Sequence, residues 1–152
     1  MLRPLVLSLA VLATPAAADP GAARACVAER AQAGEAVADC VNRAQAACFQ
    51  YEEGAPAGIA CFREMREDWA AEIALRMDEI GAQAPEEIAA IAGVEVKYDL
   101  RRNLLECERM QELRLLRQEM DTGAMHAMVR CEATAVGLAY VKLLLQSGAA
   151  ER

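Results

Sequence analysis

The sequence predicts an all-α protein, a small bundle of four to five helices cross-linked by disulfides. Through most of the chain, large apolar residues recur at steps of three and four, the spacing of one helix face. No stretch shows the period-two alternation between turn signals that marks a β-strand. The six cysteines form an even number, which in an exported chain predicts three disulfides and no free thiol.

The first 18 residues have the three-part pattern of a secretory signal peptide. One arginine gives a positive start, residues 5–13 form a largely apolar run, and Ala16 to Ala18 make a small-residue cleavage site. The run is too short to span a bilayer, so we expect cleavage before Asp19 and no stable membrane insertion afterwards. The predicted organisation is a signal peptide, 1–18, and one helical domain, 19–152, which is periplasmic or secreted.

Turn residues divide the domain into successive helices. Residues 22–32 are rich in the helix formers Ala, Glu and Arg, and after Gly34 a second helix is expected from Glu35 to about Gln50. A loop with two glycines and a proline follows at 54–58.

Residues 61–80 carry the clearest apolar stripe of the chain. Its members are Phe62, Met65, Trp69, Ile73, Met77 and Ile80. Trp69 is the only tryptophan and sits in the middle of the stripe, and a tryptophan buries a large apolar area. We therefore predict Trp69 as a buried core anchor and its helix as the centre of the core.

Two further helices are predicted in the C-terminal half. Pro85 suits the first turn of a helix, and Glu86 and Glu87 favour its positive N-terminal end. Its helical spacing is carried by Ile88, Ile91, Val94, Tyr98, Leu105, Met110, Leu113, Leu116 and Met120, so this element is expected to be long or bent. After a break at 121–123, the last helix is expected from about Ala124 to Leu145.

The cysteine spacings contain no C-x-x-C, which excludes a thioredoxin-type redox pair and a c-type haem site. One histidine and no closely spaced ligand pairs disfavour zinc, and we expect no metal and no cofactor. Six cysteines allow 15 pairings, which the spacing alone leaves open. Antiparallel hairpins suggest the pairs Cys26–Cys40, Cys48–Cys61 and Cys107–Cys131, the last at unequal distances from its turn.

The residues needed for catalysis are largely missing. Ser147 is the only serine beyond the signal peptide, and nothing places it against His126, the only histidine. We expect His126 to be exposed or at an edge next to a helix start. A carboxylate pair across a cleft could cleave a glycoside, but solvated helix faces better explain Glu67, Asp68, Glu72, Glu106, Glu108 and Glu112. The sequence therefore predicts no catalytic residues and no enzyme.

The methionines and one small cluster suggest weaker alternatives. An adaptable binding surface or a copper site is conceivable, but core filling is the better interpretation of Met65, Met77, Met110, Met120, Met125 and Met128. The pair Arg101–Arg102 beside Tyr98 is either a polar contact point or an exposed helix face.

The chain is acidic. Removing Arg3 with the signal peptide changes the formal net charge from −7 to −8. Such a surface disfavours nucleic acid and anionic membranes and favours basic partners. The alternative is that the acidity serves only solubility.

The arrangement of cysteines and tryptophan resembles that of bacterial LprI-type lysozyme-inhibitor-like domains. It combines an export signal, Cys61 eight residues before Trp69, Cys107 on a later helix, and Cys131 opening the final helix with Thr134 after it. The similarity spans about residues 26–145. It implies a small envelope protein that binds lysozyme-like muramidases.

The predicted function is that of an exported helical binding protein of the bacterial cell envelope. It would dock a basic partner, with a lysozyme as the first candidate. The alternative is a structural or interaction protein of the envelope without inhibitory activity.

Overall fold

A computed structural model describes residues 19–148, and within this range the chain is helical and has no strand. The helices are α1, Gly21–Gln32; α2, Asp39–Ala44; α3, Pro56–Gln83; α4, Glu86–Leu115; and α5, Thr122–Gln146; a 3-10 helix, Ala46–Gln50, follows α2. The predicted all-α bundle is confirmed. The predicted signal peptide lies outside the described residues.

Several predicted helix boundaries are wrong: α2 begins at Asp39 instead of Glu35, and α3 begins at Pro56, inside the predicted loop. The second predicted helix is broken at Gln45, whose backbone leaves the helical conformation between α2 and the 3-10 helix. Its fully buried side chain turns toward α5, where its Oε1 accepts a hydrogen bond of 3.2 Å from Thr134 Oγ1. The long fourth helix ends at Leu115 and does not continue to Met120.

The central helix is α5, which contacts α1, α2, α3 and α4. Twelve of its residues are buried: Ala124, His126, Val129, Ala133, Ala135, Val136, Gly137, Ala139, Tyr140, Val141, Leu143 and Leu144. The prediction that the Trp69 helix forms the centre of the core is therefore wrong. Helices α3 and α4 lie on α5 and contact each other far less than either contacts α5.

Trp69 is fully buried, as predicted. Its ring centroid lies 5.6 Å from that of Tyr140 on α5. Along α3 the stripe residues Phe62, Met65, Ile73 and Ile80 are buried with it, and Met77 is half-buried. The stripe is thus the face that α3 packs onto the central helix.

The three disulfides pair the cysteines as the hairpin argument predicted: Cys26–Cys40, Cys48–Cys61 and Cys107–Cys131. They join α1 to α2, the 3-10 helix to α3, and α4 to α5. The early end of α4 removes the asymmetry of the third pair, because Cys107 and Cys131 then lie at similar distances from the turn between the helices.

The described residues also bear on membrane crossing and on compartment. No helix within 19–148 is long and apolar enough to cross a membrane. Three structural disulfides are typical of proteins that fold outside the reducing cytoplasm.

Gly137 lies against the Trp69 indole, and we expect Gly137→Ala to destabilise the protein by about 1–2 kcal/mol. A Cβ there would lie 2.8 Å from Val41 Cγ1 and 2.9 Å from Trp69 Cε2. In a free helix position the same change would gain about 0.5–1 kcal/mol, but overpacking a filled core costs about 1–3 kcal/mol. Urea unfolding of the oxidised protein measures the difference.

Gly81 in α3 supplies the matched control, because a Cβ there meets nothing within 4 Å. Gly81→Ala should be neutral or stabilising. A Gly137→Ala protein as stable as the Gly81→Ala protein would show that the indole contact is not tight.

Candidate functional site

An open cleft of about 640 Å³ lies between the C-terminal half of α4, the α5 helix and residues 48–53. This volume is in the range of small-ligand sites. Aromatic rings form part of the lining, namely Phe49, Tyr51 and Phe62; the charged residues are Glu53, Glu106, Arg114 and Arg130. Asn42 of α2 and Phe62 of α3 complete the lining, so the cleft is built from segments that are far apart in the sequence.

Two of the three disulfides fix the walls of this cleft. Cys107 and Cys131 both line it, and their bond joins the α4 wall directly to the α5 wall. Cys48 also lines it and is bonded to Cys61 of α3. Covalent links of this kind hold a cleft open in one shape, which reduces the entropy that a ligand loses on binding.

The mouth of the cleft carries an arginine stacked on an aromatic ring. The Arg130 guanidinium carbon lies 4.7 Å from the centroid of Phe49, a cation–π distance. Phe49 in turn meets Phe62 edge to face, with ring centroids 5.5 Å apart. Within residues 19–148 neither Arg130 nor Arg114 forms an ion pair.

Glu106 is the cleft carboxylate with a strong partner. Arg109, one helical turn further along α4, donates to both of its oxygens. This hydrogen-bonded arginine holds the pKa of Glu106 below its ordinary value. The carboxylate therefore stays ionised at neutral pH and is unsuited to act as a general acid.

The expectation that His126 is exposed is wrong, because its side chain is only 6% exposed. Its Nδ1 accepts a hydrogen bond of 2.8 Å from the Gly54 N–H, and its ring packs on Phe62 at 5.5 Å. Gly54 has a φ of 82°, which lets the loop after the 3-10 helix turn back over the start of α5. His126 therefore anchors this loop.

Ser147 and His126 stand at opposite ends of α5, about 31 Å apart at 1.5 Å per residue. A Ser-His pair is therefore excluded. The Ser147 Oγ accepts a hydrogen bond of 3.0 Å from Arg76 Nε. Among residues 19–148, no three or more His, Cys, Asp or Glu side chains form a group that could hold a metal ion.

The methionines divide into two sets. Met65 is buried and Met77 and Met128 are half-buried, in agreement with core filling. The prediction is wrong for Met110, Met120 and Met125, whose exposed fractions are 53%, 55% and 39%.

Most of the acidic residues singled out in the sequence lie on solvated faces. Glu67, Asp68, Glu106, Glu108 and Glu112 are exposed. The exception is Glu72, which is half-buried and accepts a hydrogen bond of 3.0 Å from the Tyr140 hydroxyl.

A second surface of interest is the outer side of α3, which we call the α3 acidic face. It consists of Glu64, Glu67, Asp68 and Asp78. All four are exposed, and within residues 19–148 none of them forms an ion pair.

The three basic residues of α3 all have partners toward α5, although Arg76 is buried, Arg66 is half-buried and Arg63 is exposed. They donate to partners on α5 or at its end: Arg63 to Met125 Sδ at 3.5 Å, Arg66 to Glu132 at 2.6 Å and Arg76 to Ser147 at 2.8 to 3.0 Å. Arg66 and Arg76, together with Glu72 and Glu79, therefore have their partners on the bundle side of α3, while the four carboxylates of the α3 acidic face lie on the opposite side.

In comparisons with protein families, curated proteins and solved structures, the chain matches no family model, no curated protein and no solved structure. The resemblance to LprI-type lysozyme-inhibitor-like domains therefore stays a prediction.

Proposed function

We propose that the protein is an exported binding protein of the bacterial cell envelope that docks a basic protein partner on the α3 acidic face. The observation that carries the proposal is the charge separation of α3. Its four outer carboxylates have no ion-pair partner among residues 19–148, while its three arginines each donate to a partner on α5 or at its end. A lysozyme-like muramidase, which the cysteine and tryptophan arrangement suggests, is the first partner to test.

A long, rigid helix suits such a role. α3 runs for 28 residues and is anchored along its inner side by Trp69 and the other buried stripe residues. Its outer carboxylates are therefore displayed at fixed spacing without reorganisation on binding. Complementary charge speeds the encounter with a cationic partner, and salt weakens this steering because the Debye length is only about 8 Å at physiological ionic strength.

We expect the triple variant Glu64→Lys/Glu67→Lys/Asp78→Lys to bind a basic muramidase about tenfold more weakly or worse, a loss of about 1.4 kcal/mol or more. These side chains make no contact that the fold needs, so the variant should unfold at the same temperature as the native protein. Binding is measured with the oxidised protein by interferometry at two salt concentrations, alongside a muramidase inhibition assay.

The matched control, Glu29→Lys/Glu52→Lys/Glu119→Lys, makes the same change in net charge at three exposed sites away from α3. If both variants bound the muramidase equally weakly, the overall net charge of the protein, and not the α3 acidic face, would determine binding. Absence of binding to any muramidase would remove that partner class. Binding without inhibition would favour the alternative, an interaction protein of the envelope without inhibitory activity.

A further inference from the structure

Between Ile88 and Leu105, five large apolar side chains of α4 are exposed, although Leu100 and Leu104 on the same helix pack against the core. The five exposed residues, which we call the α4 outer stripe, are Ile88, Ile91, Val94, Tyr98 and Leu105, with exposed fractions of 52%, 59%, 53%, 63% and 60%. The side of α4 that packs on the bundle is lined by the small residues Ala89, Ala92, Gly93 and Val96 in its first half and by Leu100 and Leu104 further along. Large exposed apolar residues that share one side of a helix mark an interaction surface.

We infer that the α4 outer stripe pairs with the same stripe of a second copy of this chain, in an antiparallel two-fold dimer centred on Tyr98. Ile91, Tyr98 and Leu105 follow one another at seven-residue intervals, the repeat that packs one helix along another. The stripe from Ile88 to Leu105 is about 26 Å long at 1.5 Å per residue.

The stripe is complementary to itself in the antiparallel direction. With the two copies crossing at Tyr98, Ile91 of each copy faces Leu105 of the other, and the two Tyr98 rings meet at the axis. Such a contact is isologous, because the same patch serves on both sides and the assembly closes at two copies.

The flanking charges select this direction. Glu95 and Arg102 are seven residues apart and therefore lie on the same side of α4. Antiparallel pairing places each Glu95 beside Arg102 of the other copy, whereas in a parallel pair these two residues would lie on opposite flanks of the contact and could not meet. Within residues 19–148 Arg102 has no ion-pair partner, and the contact of Glu95 with Lys142 is long, at 3.6 Å.

Sedimentation equilibrium of the oxidised protein tests the pairing. The native chain should be a dimer, and Tyr98→Glu should be a monomer with unchanged helix content, because Tyr98 is 63% exposed and outside the core. Leu75→Glu is the matched control. It places the same charge at another exposed apolar residue, 55% exposed on α3, and should remain a dimer.

A charge swap tests the direction. Arg102→Glu should weaken dimerisation about tenfold or more, because Glu95 then faces an acid, and Glu95→Arg/Arg102→Glu should restore it. Failure of the double variant to recover would overturn the antiparallel pairing.

Cysteine cross-linking tests the register. Tyr98→Cys lies on the two-fold axis and should cross-link two copies on oxidation. In a Val94→Cys dimer the two introduced cysteines would lie about 12 Å apart along the helix axis, so they should not cross-link. A monomeric native protein, a cross-link at Val94→Cys alone, or a stripe covered by a different protein would each overturn the inference.

Discussion

Replacing Trp69 with alanine should lower the free energy of unfolding of the oxidised protein by about 3–5 kcal/mol. The indole is fully buried between α3 and α5, the two helices that contact each other most, and it packs on Tyr140 and against Gly137. The loss is a large part of the roughly 5–15 kcal/mol that stabilises a typical domain. Urea unfolding measures it, and blue-shifted tryptophan emission of the native protein reports the burial independently.

Phe49→Ala is the control for this prediction. Phe49 is an aromatic residue of comparable type that is 39% exposed at the cleft mouth, so its removal should cost clearly less. An unchanged melting temperature for Trp69→Ala would contradict the role of Trp69 as core anchor.

Removing the bridge between α4 and α5 with Cys107→Ala/Cys131→Ala should cost about 3–4 kcal/mol. The bonded cysteines are 24 residues apart, the longest separation among the three disulfides, so their bond restricts the unfolded chain most. Both cysteines are replaced so that no unpaired thiol remains. Equilibrium unfolding measures the stability, and amide hydrogen exchange of residues 103–114 and 127–138 measures the rigidity of the cleft walls.

The Cys26→Ala/Cys40→Ala variant separates the two effects. It removes a bridge with a separation of 14, so it should also lose stability, but it leaves the cleft walls linked and their hydrogen exchange unchanged. A stability loss below about 1 kcal/mol for the α4–α5 pair would mean that packing alone holds these helices.

The helical class and the burial of Trp69 follow from residue spacing because local periodicity determines both. The central position of α5 could have been inferred from its apolar residues, which surround the whole helix instead of forming one stripe. For α4 the same periodicity identifies a helix but not which face meets the bundle. In its first half small residues pack inward, so exposed residues such as Ile91 and Tyr98 have the spacing expected of a core stripe without being buried.

The cleft and the role of His126 could not be predicted from spacing. His126 accepts from Gly54 across 72 positions, and no local pattern encodes that contact. The separation of charge on α3 is partly visible in the sequence. The direction in which Arg63, Arg66 and Arg76 turn depends on partners supplied by α5, so the sequence alone does not show which face is left acidic.

The order of the helices along the chain has a consequence for folding. The disulfides close short segments only, and no bridge crosses from residues 26–61 to residues 107–131. A chain delivered N-terminus first can therefore form its first two bridges before α4 and α5 arrive. The central helix α5, however, follows all the others in the sequence. The apolar stripe that contains Trp69 therefore stays exposed until α5 packs on it. In such a chain the core is completed only when α5 folds. Until then the exposed apolar stripe of α3 is the segment most prone to aggregate.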